Sequence, residues 1–209
     1  MTSFVQPDMF SPSPAAWPFG TLTPHKYGLV MIDCPWRFLT RSEKGEGKSP
    51  QRHYKTMSIE EIKALPVADL AADDCLLWMW GTAPMLPQQL DVMAHWGFDY
   101  VSKGVWVKRT VNDKLAFGTG YSFRLSHEEI ILGSIGSPML AKNVRSVIEG
   151  PLRENSRKPD EAYAEAERLV PGVRRADVFS RQSRPGWDAC GDECGKFDSN
   201  TTGVTSDAA

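Results

Sequence analysis

The chain has 209 residues, 41% of them hydrophobic and 10% aromatic, enough apolar surface for one domain with a full core, which excludes disorder throughout. A formal net charge of -2 excludes a protein held on nucleic acid by bulk charge alone, although a local basic face would not show in that sum. No run approaches the roughly 18 apolar residues that cross a bilayer, and residues 1–20 lack the basic start and apolar stretch of a signal peptide, so a soluble cytoplasmic protein with no membrane partner is expected.

In chain order, "SPSPAAWPFG" (11–20) is rich in Pro and Ser, and "DSNTTGVTSDAA" (198–209) is small and polar. They predict weakly ordered ends at 1–20 and 195–209 around a working domain at 21–194. "YGLVMID" (27–33) is a β-rich apolar run, as in a strand covered on both faces. A charged, glycine-bearing loop follows (39–56), then "SIEEIKAL" (58–65), where Ser and the Glu three residues later form a capping box for a short helix stopped by Pro66. "CLLWMWG" (75–81) predicts a strand, "MLPQQLDVMAHWG" (85–97) a helix ended by Gly97, and "YVSKGVWVK" (100–108) a strand. A second glycine-containing loop (109–126) leads to the strand "HEEIILGSIG" (127–136). "KPDEAYAEAERLV" (158–170) has Pro and acids at its start and helical apolar spacing, and "RRADVFSR" (174–181) is a final strand. Strands alternating with helices predict an α/β fold with a mostly parallel sheet flanked by helices.

The four cysteines are scattered except for Cys190 and Cys194, which could be half of a metal site; no second pair of ligands is evident, so no metal is expected. The residues "DCPW" (33–36) raise a different chemistry. Ligands of open α/β sheets gather beyond the carboxyl ends of strands, where the run 27–33 delivers Asp33. Pro35 forces Cys34 into an extended conformation, which directs the Cys34 carbonyl beside the Asp33 carboxylate. Two such acceptors suit a donor with two hydrogens, an NH₂ group, while Trp36 offers a face for a flat ring. The exocyclic amine of adenine is such a donor, and hydrogen bonds from both its hydrogens would localise and aim a lone pair otherwise delocalised into the ring. Beside it, the segment 37–55 carries Arg37, Arg41, Lys44, Lys48, Arg52 and Lys55 against Glu43 and Glu46, a composition that can grip phosphates or simply be a solvated loop.

Asp-Pro-Pro-Trp at a strand end marks the methyltransferase family named after the seventy-kilodalton subunit of the mRNA N6-adenosine methyltransferase, which includes bacterial and phage DNA adenine enzymes. The chain resembles that family over roughly residues 24–193, through "HYKTMSIEEIKALPV" (53–67), "LLWMWGT" (76–82), "GYSFRLSHEEIILG" (120–133), "ENSRKPDEAYAEAERLVPG" (154–172), "FSR" (179–181) and "GWDACGDE" (186–193). The resemblance implies a Rossmann-like fold, S-adenosyl-L-methionine as cofactor and methyl transfer to the N6 amine of adenine in nucleic acid. By its motif, Asp33, Cys34, Pro35 and Trp36 form the catalytic segment, and Tyr54, Glu128 and Trp80 are placed toward the substrate; Lys48 and Arg52 are placed there by the charge of the segment 37–55 and not by the motif. Lys158 would pair with the cofactor carboxylate. Arg181, Gln182 and Ser183 match a cofactor-binding turn, and Asp192 and Glu193 a segment that holds the ribose. The chain departs from the pattern at Cys34, Cys190 and Asp192. DNA is the preferred substrate for this short bacterial or phage type, acting as monomer or homodimer. An RNA adenosine enzyme, a non-catalytic nucleic-acid-binding partner and a methyltransferase acting on a small molecule or protein stay open as alternatives.

Overall fold

The computed structural model describes residues 17–37, 56–118, 120, 122–153 and 157–198. Lys48, Arg52 and Tyr54, with most of the charged segment 37–55, lie outside the described residues. Seven strands form one sheet: β1 (Tyr27–Ile32), β2 (Ala71–Gly81), β3 (Asp99–Arg109), β4 (His127–Ile135), β5 (Val147–Pro151), β6 (Arg175–Val178) and β7 (Asp188–Cys190), in the order β5-β3-β4-β2-β1-β6-β7. β1 pairs in parallel with β2 and β6, β6 with β7, and β3 with β5, whereas β4 runs antiparallel to both β2 and β3. Six strands thus point one way and β4 alone is reversed. The carboxyl ends of β1, β2, β3 and β6 and the start of β4 therefore lie along one edge of the sheet.

β1 is buried at every residue, which explains its unbroken apolar sequence. Its two faces meet different layers. Val30 and Ile32 join Leu77, Met79, Ile131 and Val178 in a cluster capped by helices α1 (Ile59–Lys63) and α2 (Leu86–His95), while Leu29 and Met31 join Trp78, Trp80, Trp106 and Ile130 under helix α3 (Asp160–Leu169). The Ser58 capping box is present, with Ser58 N–H donating to Glu61 at 2.7 Å and Glu61 N–H to the Ser58 hydroxyl at 3.2 Å. Gly97, with φ at 81°, follows α2 as its sequence required.

Residues 17–20 and 195–198 pack against the body of the fold. Phe19 is 1% exposed within the first cluster and Trp17 Nε1 donates to the Leu22 carbonyl, because the Pro- and Ser-rich segment still carries two aromatics. Phe197 N–H donates to the Arg181 carbonyl, and Asp198 accepts from Ser183 through both its hydroxyl and its N–H, so residues 195–198 close over the turn after β6. Two edge strands escaped the sequence reading: β5, "VIEGP", is short and ends in Gly and Pro, and β7 has three residues.

Gly28 in β1 lies against the segment between α3 and β6: a Cβ there would come 2.7 Å from Val173 Cβ and 2.8 Å from its Cγ1. Gly28→Ala is expected to cost about 1–3 kcal/mol by overpacking, read from urea unfolding. A stability equal to that of the unmodified protein would mean that this contact yields without strain.

Candidate active site

Period-two alternation assembles the polar end of the α3-facing layer. Along β1 the inward series Leu29, Met31 continues to Asp33; Trp80 ends the series of β2; Trp106 of β3 is followed two residues on by Lys108; and in the reversed β4, Ile130 is preceded by Glu128. Each apolar stripe thus finishes at the same edge in a group that can carry charge or face a cation. Lys158, just ahead of α3, completes the set from the neighbouring layer.

These side chains form a chain of alternating charge. Lys158 Nζ lies 3.0 Å from Asp33 Oδ2 and 2.8 Å from Glu128 Oε2, and the other Glu128 oxygen accepts from Lys108 at 2.5 Å. Lys158 is 9% exposed and its ammonium sits 5.1 Å from the centre of the Trp80 ring; Lys108 sits 4.9 Å from that of Trp106. An isolated ammonium buried this deeply would lose its proton, but here the two carboxylates overcome burial and raise the Lys158 pKa. Burial also pushes Glu128 up, yet Lys158 and Lys108 together outweigh it and hold Glu128 below its ordinary value. Asp33 ends up raised: burial, helped by the Glu128 charge, exceeds what Lys158 and Arg181 return.

The backbone around Asp33 is held from both sides. Asp33 N–H donates to the Val178 carbonyl of β6 at 3.2 Å, and the Pro35 carbonyl accepts from Met57 N–H at 2.8 Å. The Cys34 carbonyl accepts from Trp36 N–H at 2.8 Å, a tight turn about Pro35 that occupies one of its two lone-pair directions. Burial, then the neighbouring Asp33 charge, pushes the Cys34 thiol well above its usual range, so the sulfur stays protonated and is a poor nucleophile. Trp36 is 5% exposed and packs in the cluster with Phe19 and Ile62, so its ring serves the core; its indole N–H has no partner among the described residues.

Asp33 stands between two cavities. The larger, about 690 Å³, runs from Asp33, Cys34 and Pro35 past apolar walls that include Phe19, Met57 and Leu65 to Asp192 and Glu193. The smaller, about 20 Å³, is lined by Asp33, Trp80, Lys158, Asp177 and the arginines 157, 181 and 184. Phe179, Ser180 and Arg181 border both. Their turn is strained and tightly wrapped: Phe179 has φ at 62°, and at Gly191, φ 153°, a Cβ would come 2.9 Å from the Ser180 carbonyl oxygen.

Of the cofactor-side residues read from the sequence, Arg181 lies 3.1 Å from Glu193, Gln182 accepts from Arg157 at 2.9 Å and lines the smaller cavity, and Asp192 and Glu193 line the larger one. Ser183 instead bonds Asp198 and lines neither cavity. The donor set fits a molecule with an apolar ring, a diol and an amino-acid end: acids at the wide end suit ribose hydroxyls, and four cations against two acids around the narrow one suit a carboxylate. Among the described residues no group of three His, Cys, Asp or Glu is placed to hold a metal ion, and no helix is long and apolar enough to cross a membrane.

Sequence reasoning missed Lys108 and a buried trio. Asp177 of β6 is 3% exposed and accepts from Tyr163 Oη at 2.9 Å and from Ser180 Oγ at 2.8 Å. Lys108 could have been found from its place two residues after Trp106. Asp177 is a lone acid in "RADV", one of four residues in its strand, and nothing local marks it as buried.

A sheet with one reversed strand, helices on both faces and a ligand-sized cavity beyond the carboxyl ends of β1 and β6 is the Rossmann-like fold of S-adenosylmethionine-dependent methyltransferases. The MT-A70 sequence family matches residues 27–193, and the chain belongs to that family. It is 29% identical over 193 residues to the type II methyltransferase M.MunI of a Mycoplasma species, covering 83% of this chain and 80% of that protein. It is also 30% identical to an Arabidopsis thaliana N(6)-adenosine-methyltransferase MT-A70-like protein and 28% identical to the human N(6)-adenosine-methyltransferase catalytic subunit METTL3, each over 80% of this chain. The chain spans 24% and 28% of the length of those two relatives.

Burial dominates Asp177 and raises its pKa to about 6 from 3.8, despite the hydrogen bonds from Ser180 and Tyr163 that favour its charged form. The folded protein therefore keeps a proton that the unfolded chain releases between about pH 4 and 6, so this carboxyl's contribution to stability falls as pH rises through that window, by up to about 3 kcal/mol. Asp177→Asn, which retains an acceptor for both hydroxyls, should gain on the unmodified protein across the same window in urea unfolding. Parallel stability curves for the two proteins would show that Asp177 titrates alike folded and unfolded.

Proposed function

We propose that the protein transfers a methyl group from S-adenosyl-L-methionine to the N6 amine of adenine in nucleic acid, most readily DNA. The observation that carries this reading is the Asp33 carboxylate followed by the Cys34 main-chain carbonyl, at the wall of a cavity of about 690 Å³ with apolar sides. The amine would donate one hydrogen to Asp33 and the other to the unused lone pair of the Cys34 carbonyl, leaving its own lone pair directed at the methyl carbon. The cofactor supplies a methyl group on a sulfonium, a leaving group that needs no metal. As the nitrogen–carbon bond forms and the carbon–sulfur bond breaks, the amine becomes positively charged and releases a proton, for which Asp33 is the adjacent base. Lys158 opposes the rise that burial imposes on that carboxylate's pKa, and holds it in one orientation through the 3.0 Å contact. Arg181, Gln182, Asp192 and Glu193 would hold the cofactor, and the third hydrogen of Lys158 remains for its carboxylate.

The preference for DNA rests on the relative matched over most of its own length, a type II methyltransferase, whereas the N(6)-adenosine relatives are matched over about a quarter of theirs. The segment 37–55, by its composition, would contribute phosphate contacts, with Lys48, Arg52 and Tyr54 toward the substrate. An adenine within a duplex would have to be turned out of the stack to reach the cavity.

Asp33→Asn keeps the shape and removes the charge. It should lower methyl transfer by about 10²–10³ while cofactor affinity, measured by calorimetry, is retained. Turnover is read by nucleoside mass spectrometry on DNA, RNA and free adenosine, and a loss under tenfold would remove Asp33 from the chemistry. Position 34 separates carbonyl from thiol. Cys34→Pro and Cys34→Ser should both stay within about tenfold of the unmodified enzyme, since an amine needs no covalent intermediate and the carbonyl remains. Two folded but inactive variants would assign the reaction to the sulfur.

A further inference from the structure

The connection between β3 and β4 presents apolar side chains where a soluble surface usually hides them. Phe117 is 81% exposed, Phe123 83% and Val111 fully. The two phenylalanines stand on a folded tip. Gly118 N–H donates to the Leu125 carbonyl at 3.1 Å and Ser126 Oγ to the Ala116 carbonyl at 2.7 Å, and a Cβ on Gly118 or Gly120 would collide with the carbonyl oxygen of Leu125 or Phe123. This is a turn that only glycine permits, and it holds both rings out of the protein. Both arms of the tip spring from the active-site edge: Lys108 N–H donates to the Ser126 carbonyl and Ala116 N–H to the Lys108 carbonyl, while Lys108 Nζ bonds Glu128. The tip is therefore anchored at Lys108, one end of the Asp33–Lys158–Glu128–Lys108 chain.

The charges on the tip say what covers it. Arg124 places its guanidinium 5.5 Å from the centre of the Phe117 ring, and Lys114 and Arg124 are opposed by Asp113 alone. Aromatic faces interleaved with cations match the bases and phosphates of an unpaired strand, where every base offers a face to stack and every linkage a negative charge. We propose that Phe117 and Phe123 stack on the bases flanking the target adenine of a DNA strand, with Lys114 and Arg124 neutralising the neighbouring phosphates; this rests on the nucleic-acid reading above. The tip then holds the strand open while the adenine enters the cavity. Because both rings are already in water, removing them leaves the packed core untouched.

The test compares the unmodified protein with the double variant Phe117→Ala/Phe123→Ala, using a single-stranded DNA oligonucleotide with 2-aminopurine beside its adenine. Stacking should quench the probe on binding to the unmodified protein. The double variant should bind at least about tenfold more weakly, given about 5–150-fold per stacked base, with the quench reduced and cofactor affinity and melting temperature unchanged. Equal oligonucleotide affinity and quench in the two proteins would overturn the assignment of the tip while leaving the methyltransferase reading intact. So would a variant that loses self-association in sedimentation at unchanged oligonucleotide affinity, which would make the tip a contact between copies of the chain. An unmodified protein that methylates free adenosine but binds no oligonucleotide would overturn the nucleic-acid reading and the tip together.

Discussion

Burying the Lys158 ammonium against Trp80 is tolerable only because Asp33 and Glu128 meet it from two directions, and much of the site follows from that requirement. Removing one partner of such a buried pair typically costs about 3–5 kcal/mol, because the charge left behind has neither water nor counterion. The cluster thereby ties three strands and the segment before α3 to one another. The same contact bears on Asp33: the ammonium that holds the layers together opposes the rise that burial imposes on the Asp33 pKa.

Sheet direction explains how Glu128 reaches this group. A residue at the start of a strand would lie at the far edge of an all-parallel sheet, away from the carboxyl ends where Asp33 and Lys108 stand. β4 is reversed, so its beginning falls at that edge, and its inward face continues the tryptophan layer of β2 and β3. Reversal also gives the β3–β4 connection both of its ends at this edge, which is why the long surface loop there is anchored beside Lys108 and Glu128 and not on the opposite rim.

Around Asp33 the two cavities have opposite characters, one broad with apolar walls and acids, the other narrow and lined by cations. The turn Phe179–Ser180–Arg181 separates them and is fixed by a positive φ, by the close approach of Gly191 and by the Ser180 bond to Asp177. Asp177 thereby links the floor of the site to Tyr163 of α3, the helix whose leading segment carries Lys158. The turn that borders both cavities and the lysine that binds Asp33 are thus tied to one packed helix.

The strand 27–33, the helices near 58–65, 85–97 and 158–170 and the strands over 75–81, 100–108 and 127–136 were legible from sequence because hydrophobic period, caps and glycine stops are local properties of the chain. So was the interest of Asp33, since it ends a buried run, where ligands of such sheets gather, and is followed by Cys-Pro-Trp. Edge strands β5 and β7 were not legible, being short and held by pairing to neighbours distant in sequence. Trp36 shows the limit on side chains: its size suggested a stacking face, whereas packing with Phe19 and Ile62 placed it in the core. The sequence by itself determined the longer strands and helices and placed Asp33 at the end of the buried run 27–32. Only the tertiary structure decided that Lys158 binds Asp33 and Glu128 at once, that Lys108 joins them and that Asp177 is buried, because each depends on strand order and direction, which link residues up to 125 positions apart that no local pattern connects.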